Sequence, residues 1–198
     1  MKKIIFSIVT LVTFGFADAQ INEKGTVEIT PKIGVSDFNE YFDNDFTKSI
    51  YGVELGITGD YYFNPKWSLR TGLIADKMGG KYFDSDNYLY VDKLNYLSIP
   101  INANWHFGYN RLWNLNFGLS PSFLINAKIN GIEIPDNDIE PFQLGINLGI
   151  GFKIEFTKKF SLLVDSQFFG GLTDTNKTSS TEITNTGVSY NLGGVFHL

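Results

Sequence analysis

The sequence predicts an all-β fold, an eight-stranded antiparallel up-and-down transmembrane β-barrel, from three observations. Residues Phe142 to Phe156 alternate without a break between large apolar side chains and polar, charged or glycine residues, the period of a strand with one apolar face and one wet face. The links between such segments alternate in length, short and then long, so every short turn falls at one end of the sheet. All three tryptophans, Trp67, Trp105 and Trp113, lie beside the short turns, where an interfacial aromatic girdle belongs.

Taken in order, the chain opens with Lys2 and Lys3, an uncharged, mostly apolar run from Ile4 to Phe16, and Ala17-Asp18-Ala19. These are the three parts of a cleaved secretory signal peptide. The run falls short of the roughly 20 residues a spanning helix needs. The expected organisation is therefore a signal over 1–19 and a single barrel domain over 20–198. Strands are expected at Thr26 to Ser36, Ile50 to Phe63, Trp67 to Gly79, Leu94 to Phe107, Leu112 to Ile125, Phe142 to Phe156, Phe160 to Leu172 and Gly187 to Leu198. Asn64 to Lys66, Gly108 to Arg111 and Thr157 to Lys159 are hairpin-sized turns. The links from Asp37 to Ser49, Gly80 to Lys93, Asn126 to Pro141 and Thr173 to Thr186 are long and polar. Short turns on one side and long links on the other are what outer-membrane barrels show, with the short turns periplasmic.

Alternation alone does not say which face meets lipid, since a soluble lipocalin-like barrel shows the same period with its apolar side inward. Side-chain size favours an apolar exterior. The wet face interleaves many glycines with charged residues, which suits the narrow interior of eight strands. Lys32, Glu54, Asp60, Arg70, Asp76, Lys153, Glu155 and Asp165 share that face and are expected to form a charge network that plugs the lumen. Pro31 interrupts the first strand, and Leu163 and Phe169 fall on the nominally wet side of the seventh. Phe63, Phe107, Tyr109, Phe156 and Phe160 join the tryptophans in the inner girdle. Tyr51, Tyr96, Phe142 and Phe168 are placed in a second girdle at the opposite rim.

Composition narrows the function further. The chain has 16 basic and 21 acidic residues, and loss of Lys2, Lys3 and Asp18 with the signal takes the formal charge from -5 to -6. An acidic chain without a basic cluster is not expected to bind nucleic acid. Without cysteine there is neither a lipoprotein anchor nor a thiolate metal site. The two histidines, His106 and His197, sit near the short-turn rim, away from outer-leaflet substrates, so an enzyme is not expected. No cofactor is expected. Asp43-Asn44-Asp45, Asp84-Ser85-Asp86-Asn87 and Asp136-Asn137-Asp138 are acidic loop clusters without the spacing of a calcium loop.

The chain ends Asn191-Leu192-Gly193-Gly194-Val195-Phe196-His197-Leu198. Asn191, Gly193, Phe196 and Leu198 fit the terminal pattern by which the outer-membrane assembly machinery recognises barrel clients, although Leu198 replaces the preferred terminal aromatic. With this terminus, the signal, eight strands and Tyr96-Leu97-Ser98-Ile99-Pro100 opening the fourth strand, residues 24 to 198 resemble the PorT-like outer-membrane β-barrel family of Bacteroidota. The resemblance implies an eight-stranded barrel similar to OmpA and OmpX in architecture, located in the outer membrane of a Gram-negative cell. It implies no activity. The expected partners are outer-membrane lipids and lipopolysaccharide, the assembly machinery, and an unidentified extracellular or envelope ligand. The expected role is binding, adhesion or envelope structure through the outside loops; a narrow passive pore and a lipocalin-like carrier are the alternatives.

Overall fold

The structure is a computed structural model that describes residues 22–42, 45–83, 86–134, 139–177 and 182–198. The signal expected over 1–19 lies outside the described residues, as do all or part of the three acidic loop clusters. The strands are β1 (Val27–Phe42), β2 (Asp45–Phe46), β3 (Ile50–Asn64), β4 (Trp67–Met78), β5 (Lys81–Phe83), β6 (Leu89–Ser98), β7 (Ile101–Phe107), β8 (Trp113–Ile129), β9 (Ile132–Glu133), β10 (Phe142–Thr157), β11 (Phe160–Gly171) and β12 (Ile183–His197). Antiparallel neighbours run β12, β1, β3, β4, β6 with β7, β8, β10, β11 and back to β12. That is a closed barrel of eight staves, β6 and β7 together forming one.

The apolar side of each stave points outward. Ile33, Val35, Leu55, Leu148, Ile150 and Leu192 are all exposed, while Glu28, Thr30, Glu54, Asp60, Asn104, Asn116 and Ser122 are buried. A soluble carrier with an apolar interior has the opposite arrangement, so the lipocalin-like alternative does not hold.

Two prolines mark local departures from the ladder. The pairing of β1 with β12 passes from Ile29↔Phe196 to Lys32↔Gly193 without pairing Thr30 or Pro31, because proline has no N–H to donate. The fourth stave, expected as one strand from Leu94 to Phe107, breaks at Ile99-Pro100 into β6 and β7. The Ile99 N–H instead bonds the carbonyl of Pro121 at 2.8 Å.

The long links are shorter than expected because the strands continue beyond the membrane. β1 runs to Phe42 rather than Ser36, β8 to Ile129 rather than Ile125, and β12 begins at Ile183 rather than Gly187. In these extensions the outward side chains include Asp37, Asn39 and Thr186; alternation of polarity fades where the outer face meets water, but backbone pairing does not. β2, β5 and β9 fold back as short arms on β1, β6 and β8. At the other end, three tight turns join the staves. The Asn64 side chain accepts from the Lys66 N–H at 2.9 Å, the Thr157 hydroxyl from the Lys159 N–H at 3.2 Å, and Gly108 at φ 80 starts the third.

Trp67, Trp105, Phe107 and Trp113 stack in sequence around the short-turn rim at 6.3, 4.8 and 6.4 Å. Phe156, Phe160 and Phe196 continue the belt. Tyr51, Phe142 and Phe168 are exposed at the opposite rim. Tyr96 is not part of that outer girdle: it shares parity with Ser98, points inward and is fully buried.

Candidate functional site

The lumen is filled in tiers, and the inner tier, beside the short turns, is charged. Glu28 on β1 takes the ammonium of Lys153 from β10, the hydroxyl of Tyr62 at 3.0 Å and the amide of Asn22 at 2.6 Å. His197 Nδ1 lies 3.3 Å from the same carboxylate. One layer deeper, Asp60 accepts from the Arg70 guanidinium at 3.0 Å, from Ser68 at 2.8 Å and from Asn104 at 2.8 Å, and Arg70 also faces Asp165 at 3.8 Å. Each buried carboxylate of this tier therefore has a cationic neighbour, the condition for burying charge.

Ser68, His106 and Asp60 come together here, but not in the order of a nucleophilic triad. His106 Nε2 meets the Ser68 hydroxyl at 2.9 Å, while Asp60 binds Ser68 and leaves the other ring nitrogen of His106 facing Tyr62 at 3.5 Å. A triad needs its carboxylate on the histidine and its hydroxyl open to substrate; all three side chains are buried. His106 instead stacks on Tyr62 with ring centroids 4.7 Å apart, packing the inner mouth.

The middle tier is thinner. Lys32 pairs with Glu54 at 2.7 Å, the Ser36 hydroxyl donates to Asp76 at 2.7 Å, Asn102 bonds Asn116 at 2.9 Å, and Ser98 meets Ser122 at 2.7 Å. A cavity of about 50 Å3 remains, lined by Glu54, Asp76, Asn102 and Ser120 among others. A space of about 10 Å3 at the inner mouth is lined by Glu28, Lys153, Glu155 and His197.

Against expectation, the outer tier is built round an apolar cluster, with Glu40 buried beside it. Phe38, Ile50, Met78, Leu94, Tyr96, Ala127 and Phe169 form one buried cluster. Gly187 on β12 lies directly opposite both Phe38 on β1 and Phe169 on β11. A side chain there would begin 2.5 Å from the Phe38 ring, so only glycine lets the two rings meet, at 6.1 Å. Beyond this plug the arms carry exposed Phe42, Phe46, Phe83, Tyr88, Leu89 and Ile132. Tyr82 stacks on Tyr90 at 5.4 Å and on Phe42 at 6.5 Å.

The structure thus joins Lys32 to Glu54, and Asp60, Arg70 and Asp165 to one another. Lys153 finds Glu28, a residue the alternation also turns inward. Asp76 lines the cavity and accepts from the Ser36 hydroxyl and the Lys77 N–H, and Glu155 is only partly buried. Tyr62, which bridges Glu28 and His106, was missed although it shares parity with Asp60. Asn191, Gly193, Phe196 and Leu198 lie along the β1–β12 seam, Phe196 and Leu198 exposed, with the Leu198 N–H bonded to the carbonyl of Val27 at 2.9 Å.

A family model described as outer membrane protein beta-barrel domain matches residues 16–177, and the chain belongs to that family. No curated protein sequence matches it. Among solved structures it is similar to the outer membrane protein OprG of Pseudomonas aeruginosa, with TM-score 0.56 and 12% identity over 91% of this chain and 99% of that one. It is also similar to Ail, the attachment invasion locus protein of Yersinia pestis, in complex with the heparin analogue sucrose octasulfate, with TM-score 0.50 and 15% identity over 87% and 99% of the two chains. The outer membrane protein AlkL in lipid bilayers gives TM-score 0.50 and 13% identity over 92% and 93%. At these identities the likeness concerns the fold.

Proposed function

We propose that this outer-membrane barrel acts by binding an extracellular or envelope ligand through its outer arms, with the barrel itself serving as a rigid, closed pedestal. The observation that carries this reading is the exposed apolar surface formed by aromatic residues of β2, β5 and the ends of β1 and β6 together with Ile132 of β9. Solvent-facing phenylalanine, tyrosine and isoleucine above a membrane belt are costly unless something covers them, and such clusters mark interaction sites. The tiers support the same reading, since charge at the inner mouth and the apolar plug at the outer one both oppose passage of solute. Within the family, the Tyr96 to Pro100 segment and the terminal strand favour the PorT-like branch. We take Asn191, Gly193, Phe196 and Leu198 as the assembly signal and residues 1–19 as a cleaved export signal.

Replacing Tyr82 to Tyr90 by a tight turn tests the proposal and spares Val91 and Leu94, which belong to the plug. The expected result is a fully assembled barrel, with its unheated band intact on detergent gels, that has lost adhesion or ligand capture by whole cells. An arm deletion without effect, together with a single-channel conductance abolished by Arg70→Ala, would give the function to the lumen instead.

A further inference from the structure

The lipid-facing side of the barrel is not uniform. Across β10, β11 and β12 the outward residues Ile150, Ser166 and Tyr190 stand side by side in register. The small Ser166 between two large neighbours leaves a groove of about 530 Å3, bordered also by Val164, Leu192 and, toward the short-turn rim, Trp113. Tyr190 also borders a second hollow of about 300 Å3, lined by Phe168, Val188, Asp37, Asn39 and Thr186. This second hollow lies at the level of the outer girdle, since Asp37 pairs with Tyr51 on one side and with Val188 on the other, and Val188 pairs with Phe168. Sharing Tyr190 as a wall, the two run together from headgroup depth into hydrocarbon. The span from Thr186 to Leu192 is roughly 20 Å of strand, or about 15 Å of depth at the usual tilt, one leaflet of a hydrocarbon core roughly 30 Å thick.

The upper hollow offers acceptors and no cation. Asp37 Oδ1 and Asn39 Oδ1 are both shielded from solvent without a donor among the described residues. The Thr186 hydroxyl gives its proton to the Phe169 carbonyl at 3.2 Å, so its oxygen meets any further partner as an acceptor. Among the described residues, no lysine, arginine or histidine lines the space. Shielded acceptors without donors require a protic partner, and the single carboxylate calls for a single positive charge. A primary ammonium supplies both, with three N–H donors for three oxygens. A headgroup that is only anionic would add acceptors to acceptors.

We propose that this face of the barrel holds one ethanolamine phospholipid, its ammonium donating to Asp37, Asn39 and Thr186 and one acyl chain lying in the groove past Tyr190 and Ser166. The layout is that of an amphiphile: a polar set at headgroup depth, continuous with an apolar channel one leaflet deep, on a surface that already meets the bilayer. A second copy of the barrel fits less well, because a two-fold contact presents the same patch on both partners and would set Asp37 near its own counterpart. The site is separate from the outer arms and does not depend on what they bind.

The test is native mass spectrometry of the wild-type barrel, reconstituted in vesicles holding equal amounts of ethanolamine and choline phospholipids with identical acyl chains and then released into mild detergent. The choline headgroup carries the same charges but no N–H. The expected result is one retained ethanolamine lipid per barrel, in roughly tenfold excess over the choline lipid, the factor that a hydrogen bond between charged groups supplies. Asp37→Asn, an outward substitution that leaves the lumen untouched, should bring the two lipids to parity. Ser166→Leu, which fills the groove with a side chain suited to lipid contact, should lower retention of both. Equal retention of the two lipids by the wild type would overturn the proposal, as would a preference undiminished in Asp37→Asn or retention undiminished in Ser166→Leu. A lipid-free dimer of wild-type barrels would overturn it too and give the face to a second copy.

Discussion

The inner and outer ends of this lumen solve one problem with opposite chemistry. At the inner end, Glu28, Asp60, Arg70 and Lys153 are buried as ion pairs fixed by Tyr62, Ser68, Asn104 and His106. At the outer end, Phe38, Met78, Leu94 and Phe169 fill the same cross-section with apolar contacts. The difference follows from what holds the staves. Three tight turns hold the inner ends close together, although the register shifts beside two of them, between Tyr62 and Asn64 and between Glu155 and Thr157, and hydrogen bonds need such close constraint because they weaken steeply with distance and angle. The outer ends are joined by long links, the break at Pro100 divides a stave, and the β6–β8 register shifts between Asn95 and Tyr96. Apolar contact is non-directional and tolerates this irregularity.

The largest expected effect comes from breaking the inner chemistry. Lys153→Met leaves Glu28 buried opposite only His197, Tyr62 and Asn22, and removing one partner of a buried pair costs about 3 to 5 kcal/mol. Urea unfolding of the reconstituted barrel should show that loss. The double replacement Glu28→Gln with Lys153→Met should recover most of it, since a matched neutral pair no longer strands a charge. Recovery absent from the double variant would mean that Lys153 acts through the Tyr62 hydroxyl, to which its ammonium donates at 2.9 Å, rather than through Glu28.

The same contrast explains what was legible in the sequence. Glu54, Asp60, Arg70, Lys153 and Asp165 lie on the inward parity of their strands, and strand parity is strict, so the charged tiers were readable from alternation alone. The barrel, its closure and the inner girdle followed from the same period together with the link lengths. The outer plug was not readable, because alternation assigns apolar residues to lipid, and Phe38, Met78, Leu94 and Tyr96 are apolar residues at inward positions. Leu163 and Phe169 were the visible exceptions. The signal for the plug was Gly187 between two inward aromatics, which becomes apparent only once the cross-strand register places it opposite Phe38 and Phe169.

A smaller loss is expected from the outer chemistry. Met78→Ala removes a plug side chain that also borders the polar cavity, so water has access to the vacated space and no dry void forms. The cost should fall near 2 kcal/mol, the low end for deletion of a buried methionine, with no conductance gained, because the inner tier stays closed. A stable open channel in planar bilayers of this variant would show that the plug is the principal seal and would break the division drawn between the tiers.

The smallest effect tests the comparison from outside the lumen. Lys128 on β8 and Glu133 on β9 form an ion pair at 3.1 Å, about as close as Lys32 and Glu54, but their side chains are 39% and 74% exposed. Water screens the attraction, both groups remain hydrated without it, and holding two long side chains together costs rotamer freedom. Exposed pairs are accordingly worth about 0.2 to 1 kcal/mol, and Lys128→Ala should lie in that range, shrinking further in high salt. Lys32→Ala, which strands Glu54 in the sealed middle tier, should cost several times more and respond weakly to salt. Equal losses in the two variants, measured in the same urea series, would mean that the lumen is hydrated enough to screen its charges.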